Sequence, residues 1–175
     1  MFSVEGVSVV IVGGSRGIGS ALVNGFVAAN AEVSVLDIET PSTSEGLDFI
    51  KCDLSDKTNI EASLEEYYKR NKTINVLINC AAITLPGESH TYTDESWFRS
   101  LSVNLSGIFF LCREVGRKMI EHKIKGSIIN FTSIGAEQGF ANNPGYAATK
   151  GAIKQLSKAL AVEWGVHGIR VNNIV

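Results

Sequence analysis

Val7-Ser-Val-Val-Ile-Val runs without a break into Gly13-Gly-Ser-Arg-Gly-Ile-Gly and on into Ser20-Ala-Leu-Val. No other stretch limits the possible folds as much. Five of these first six residues are apolar and β-branched, the pattern of a strand buried on both faces of a parallel sheet. After the glycines the spacing becomes helical, with Leu22, Val23, Phe26 and Val27 as the inward stripe. A glycine cluster alone is often only a tight turn. Between a strand and a helix it makes an anion cradle, because the helix N-terminus faces the anion and glycine removes the Cβ that would hold it away. Gly13, Ser15, Arg16, Gly17, Ile18 and Gly19 are therefore the candidate phosphate-binding residues.

The rest of the chain alternates strands with helices, which predicts an α/β doubly wound parallel sheet in three layers. Residues 31–37 form a second strand ending in Asp37. A carboxylate there can accept from the adenosine ribose hydroxyls and repels a 2′-phosphate, which favours NAD over NADP. Arg16 in the glycine turn could hold a phosphate and keeps NADP possible. A loop through Pro41 leads to a third strand over 48–54, whose end sets Asp53 and Leu54 beside the adenine. Ser55 is the expected cap of a helix running to about Arg70, with Ile60, Leu64 and Tyr67 on its apolar stripe. The fourth strand, 74–82, ends in small residues suited to close approach by a ligand. Thr93 or Asp94 then caps a long helix to about Lys123 that carries Asn104 at its centre, a poor helix former. Its apolar residues (Trp97, Phe98, Leu101, Ile108, Phe109, Met119 among them) cover more than one face, which suggests a subunit interface. A fifth strand, 126–133, ends at Ser133. After a loop with Gly135 and Gly139, Pro144 opens a helix to about Trp164, and a sixth strand starts at Gly168.

That last helix carries Tyr146 and Lys150 one turn apart on one face. A phenol beside an ammonium is a usable proton donor and acceptor, because a nearby positive charge favours phenolate. By spelling alone the signal is weak. Tyr68 and Lys72 form a second such pair, and Ser55 precedes Tyr68 by the same interval that separates Ser133 from Tyr146. Topology separates the two. Ser55 and Tyr68 fall at opposite ends of one helix, about 20 Å apart at 1.5 Å per residue. Ligands of a doubly wound sheet sit at the carboxyl ends of the strands, where helices begin, and Tyr68 is on the wrong side. Ser133 ends a strand, and the loop after it can turn back to bring Tyr146 alongside.

With 175 residues, 45% of them apolar, the chain is long enough for one domain, 1–175, with a sizeable core. A net charge of −2 gives no electrostatic reason to expect nucleic acid or an anionic membrane as partner. Cys52, Cys80 and Cys112 are widely spaced in apolar runs and read as free thiols in a reducing cytoplasm. The N-terminal apolar run contains Glu5 and is broken by Gly13 and Gly14, so it is neither a signal peptide nor a membrane span. His90, His122 and His167 share no ligand spacing, and no metal site is expected.

These residues together resemble the short-chain dehydrogenase/reductase family, over the whole chain. Gly13-Gly-Ser-Arg-Gly-Ile-Gly is similar to the family's Thr-Gly-x3-Gly-x-Gly turn, with Val12 where Thr is usual, and Asn79-Cys-Ala-Ala resembles its Asn-Asn-Ala-Gly segment. Asn104, Ser133, Tyr146 and Lys150 fall where the family places its catalytic tetrad. The resemblance implies a Rossmann fold, Asn79 and Ala81 on the cofactor side, and hydride transfer between a nicotinamide and a small carbonyl or secondary alcohol substrate. It implies Tyr146 as general acid/base, Lys150 as its activator and holder of the nicotinamide ribose, Ser133 on the reacting oxygen, and Asn104 binding a relay water. A homodimer or homotetramer would use the helices around Asn104 and Lys150. Gln138, Phe140 and Asn143 are candidates for the substrate loops. The family continues past the sixth strand with a substrate lid and a last strand, so a C-terminally truncated chain lacking both is the expectation. The alternative function is a non-catalytic dinucleotide-binding or scaffold protein that keeps the fold.

Overall fold

The computed structural model describes residues 3–41, 47–71 and 73–175. Six parallel strands form one sheet in the order β3-β2-β1-β4-β5-β6. They are β1 (Ser8–Val12), β2 (Glu32–Asp37), β3 (Asp48–Lys51), β4 (Val76–Asn79), β5 (Ser127–Phe131) and β6 (Arg170–Ile174). The expected doubly wound sheet is present. The strand order reverses beside β1, which opens a crevice at the carboxyl ends of β1 and β4.

Every residue of β1 is buried, as its apolar run from Val9 to Val12 requires, and alternate side chains feed two cores. Val10 and Val12 join Leu36, Leu77 and Ile128 under three helices: α2 (Lys57–Arg70), α4 (Ile108–Glu121) and α5 (Pro144–Trp164). Val9 and Ile11 join Val33, Val35 and Ile78 under α1 (Gly17–Ala28), which contributes Val23. Leu22 and Phe26 flank that contact, but Val27 points to solvent at 47% exposure. The inward stripe of α1 is one residue narrower than its spacing suggests.

Three local expectations change. Asp56, not Ser55, caps α2: its carboxylate accepts from the N–H of Thr58 and Asn59. Ser55 donates its N–H and hydroxyl to Asp53 at 2.8 and 2.7 Å, which removes it from the helix end. The long helix is also not continuous. Thr93 caps α3 (Asp94–Leu101), a wider π-helical turn covers Ser102–Gly107, and α4 follows. Gly107 makes this passage possible, since a Cβ there would lie 2.4 Å from the Leu54 carbonyl oxygen. Finally, β5 stops at Phe131, and Ser133 starts a 3-10 turn (Ile134–Ala136).

Of the apolar residues on this helical run, Ile108, Leu111 and Met119 are core, while Phe98 and Trp97 are exposed. Phe109 and Phe110 are half-buried under the Arg113 guanidinium, 5.7 and 5.3 Å from their ring centres. Tyr68 sits near the C-terminal end of α2 with its hydroxyl buried and without a partner among the described residues, far along the helix from Ser55. Lys72 lies outside the described residues. Among the described residues no helix is long and apolar enough to cross a membrane, and no three His, Cys, Asp or Glu side chains form a metal-binding group. All three cysteines are free.

Candidate active site

A cleft of about 290 Å³ opens at the carboxyl ends of the strands. Gly13, Arg16, Ile18 and Gly19 form one wall, Asp37, Asp53 and Leu54 one end, and Ala81, Ile83 and Phe131 the other. The glycine turn closes only as glycine. Gly13 has φ +79 and a Cβ on it would lie 2.6 Å from the Ala81 backbone, while a Cβ on Gly19 would lie 1.9 Å from the Gly13 carbonyl oxygen. Gly17, at φ +57, faces open space. The N-terminus of α1 has no capping side chain and no acid in its first turn, so its leading N–H groups remain for an anion. A pyrophosphate fits this cradle.

Two cradle candidates do not line the cleft. Gly17 lies outside its wall, and Ser15 is tied to the end of β2. Its N–H donates to Asp37 Oδ2 at 3.0 Å and its hydroxyl donates to the Glu39 carbonyl. Asp37 also accepts from the Glu39 N–H at 3.2 Å, yet a carboxylate has about four lone-pair sites and can still take ribose hydroxyls. Asp53 is held below the usual carboxylate range, first by the Ser55 hydroxyl and then by its N–H.

On the opposite side, Lys150 is 5% exposed and donates from Nζ to the Phe131 carbonyl at 2.6 Å. Burial pushes its pKa down from 10.5 to about 8, which leaves it mostly charged near neutrality. Its Nζ stands 5.6 Å from the centre of the Tyr146 ring. Tyr146 is half-buried, and its phenolic oxygen has no hydrogen-bond partner among the described residues. Ser133 Oγ accepts from the Gly135 N–H at 3.1 Å, so its own proton remains to donate. The turn that follows Ser133 packs against α5, which carries Tyr146.

Asn104, in the π-helical turn, clamps the peptide of Ile83. Its Oδ1 accepts from the Ile83 N–H and its Nδ2 donates to the Ile83 carbonyl, both at 2.8 Å. Nδ2 also reaches Thr149 Oγ1 at 3.4 Å, and that hydroxyl donates to the Tyr146 carbonyl at 2.8 Å. The side chain thus ties the turn after β4 to the helix of Tyr146. A π-helical turn at such a point is a recurrent feature of functional sites.

Asn79 is a correction. Its side chain is 2% exposed and turns into the core, where Nδ2 donates to Asn130 Oδ1 at 2.8 Å. Asn130 continues to Ser157 Oγ, and Ser157 to the Ile153 carbonyl, each at 2.8 Å. Side chains alternate along a strand, so β4 sends Asn79 toward α4 and α5 and away from the cleft. The neighbouring Cys80 does line the cleft, with its thiol pushed up to about 12 by burial despite the pull of the Lys150 charge.

The two loops expected to receive substrate are joined. Asn143 Nδ2 donates to Thr84 Oγ1 and the Gly87 N–H to the Asn142 carbonyl, both at 2.9 Å. Gln138 and Phe140 are exposed on the second loop. Sequence reasoning overlooked Glu39, Cys80, Ile83, Arg99 and Phe131. Of these only Cys80 left a signal, as a departure inside a recognisable segment.

A family model described as short chain dehydrogenase matches residues 7–175. The chain is 34% identical over 184 residues to 2-dehydro-3-deoxy-D-gluconate 5-dehydrogenase of Pseudoalteromonas atlantica, covering 99% of this chain and 72% of that one. It is 32% identical to 3-oxoacyl-(acyl-carrier-protein) reductase of Chlamydia pneumoniae, over 95% of this chain and 71% of that protein. A crystal structure of a short chain dehydrogenase from Leptospira borgpetersenii with bound NAD+ superposes with a TM-score of 0.92 at 34% identity, covering 98% of this chain and 70% of that one. A match that begins at the first strand and runs to the last residue leaves no part of the sheet or cleft outside it: the chain belongs to the short-chain dehydrogenase family of oxidoreductases.

Proposed function

We propose that the chain binds NAD(H) in the strand-end cleft and interconverts a small carbonyl compound and its secondary alcohol, with Tyr146 as general acid/base. The observation that carries this reading is the placement of Tyr146 and Lys150 on one face of α5, with Nζ 5.6 Å from the ring centre and the phenolic oxygen without a partner among the described residues. When bound, the nicotinamide supplies or takes the hydride. Gly13, Ile18, Gly19 and the first turn of α1 would hold its pyrophosphate, with the backbone at Gly17 open to the same anion and the Arg16 side chain turned to the Glu39 carboxylate. Asp37 would take the adenosine ribose, and Asp53 and Leu54 the adenine edge. Ala81 and Phe131 line the other end of the cleft, and Lys150 reaches it through its bond to the Phe131 carbonyl, from where it would hold the nicotinamide ribose.

In the reducing direction Tyr146 donates its phenolic proton to the carbonyl oxygen, and in the oxidising direction it takes the hydroxyl proton. Ser133 orients the same oxygen with its unused hydroxyl proton. Lys150 keeps a positive charge next to the ring that changes protonation. Asn104 works through the Ile83 peptide and Thr149, holding the cleft wall and Tyr146 in one frame. A scaffold would not need a cation buried one helical turn from an unpaired phenol, which favours the catalytic reading over the non-catalytic one. The substrate is a small oxo or hydroxy compound, of the sugar-acid or 3-oxoacyl kind named for the relatives. Self-association would use Trp97 and Phe98 on α3 together with the exposed side of α5.

The test is reduced-nicotinamide absorbance with a panel of carbonyl compounds. NADH consumption that depends on Tyr146 supports the assignment. A Tyr146→Phe variant as active as wild type overturns it.

A further inference from the structure

Arg16 lines the cleft on the glycine turn, and Asp37 lines it at the end of β2. Between them the backbone of residue 39 is pinned at two points. The Glu39 carbonyl accepts from the Ser15 hydroxyl, and its N–H donates to Asp37 Oδ1 at 3.2 Å. Pinned in this way, the Glu39 carboxylate reaches Arg16, with Oε2 3.3 Å from Nη1. Both side chains are more than half exposed, so the pair is open to a competing anion. A 2′-phosphate on the adenosine ribose is the anion that distinguishes NADP from NAD, and an arginine near the end of the second strand is the group that accommodates it.

We propose that Glu39 is a cofactor-specificity residue: it occupies Arg16 and so denies a 2′-phosphate the cation that would receive it. Asp37 favours a free ribose from inside the cleft, while Glu39 acts from outside it through Arg16. An exposed ion pair is weak, so the barrier it sets is moderate and removable by one substitution. This inference rests on the reading that the cleft holds a nicotinamide dinucleotide.

The experiment is a titration of NADH and NADPH, followed by nicotinamide fluorescence, on wild type, Glu39→Gln, Arg16→Ala and the double variant. Glu39→Gln should tighten NADPH binding about five- to tenfold and leave NADH within about twofold, since one carboxylate charge is removed near a phosphate and not near a hydroxyl. The double variant should lose that gain. Equal shifts for both dinucleotides, no shift, or a gain that survives without Arg16 overturns the role of Glu39 and leaves the cleft assignment standing. Failure of wild type to bind either dinucleotide overturns the cleft assignment itself, and the role of Glu39 with it.

Discussion

Lys150 carries a charge that its surroundings disfavour. It is buried, one carbonyl partners its ammonium, and its pKa falls from 10.5 to about 8. Between those two values the unfolded chain holds a proton that the folded chain has released. The stability from this group is therefore fully present above 10.5 and is lost as pH falls through about 8. Replacing it with a neutral side chain removes the dependence. Between neutral and strongly alkaline pH, the stability difference between wild type and Lys150→Met should move in favour of wild type by up to about 3 kcal/mol. Urea titrations at several pH values read this directly, and a pH-independent difference contradicts it. The shared helix face of Tyr146 and Lys150, on a helix that starts where strands end, was legible in the sequence. The inward turn of Asn79 was not, because the face a strand residue takes depends on register. Nor was the grip of Asn104 on Ile83, because that contact joins elements far apart in sequence.

At the scale of elements, glycine turn and helix caps separate function from stability. Gly19→Ala drives a methyl group into the Gly13 carbonyl, so the cradle must open. Loss of most NADH binding is expected, by at least about tenfold, since backbone approach to the anion is what the turn provides. Unchanged affinity in a fluorescence titration would place the pyrophosphate elsewhere. Asp56→Ala should act in the opposite way. It removes the cap of α2 and costs about 1 kcal/mol in chemical unfolding, with turnover unaffected. If Ser55→Ala proves the more costly of the two, Ser55 is the cap after all. Element identity was readable from the sequence throughout, because strand and helix periods differ. The exceptions were local contests: Asp53 captures Ser55, and Gly107 lets the long helix widen against Leu54.

For the molecule as a whole, the strand order sets everything else. Reversal beside β1 puts the glycine turn, Asp37 and the end of β5 around one crevice, and α5 rises from the same edge with Tyr146 and Lys150. A ligand held there touches β1, β2, β5 and the segment that follows β4, so it should stabilise the whole sheet. At a hundredfold excess over its Kd, NADH should add about 2.7 kcal/mol and raise the unfolding temperature accordingly. If binding belongs to the cradle and proton transfer to Tyr146, as proposed, the two functions are separable. The most direct test is the single-turnover rate of carbonyl reduction with bound NADH, comparing wild type with Tyr146→Phe. Removing the phenolic proton donor should slow the step by roughly 10² to 10⁴-fold while NADH affinity stays within about twofold. Equal single-turnover rates for the two proteins would contradict the account.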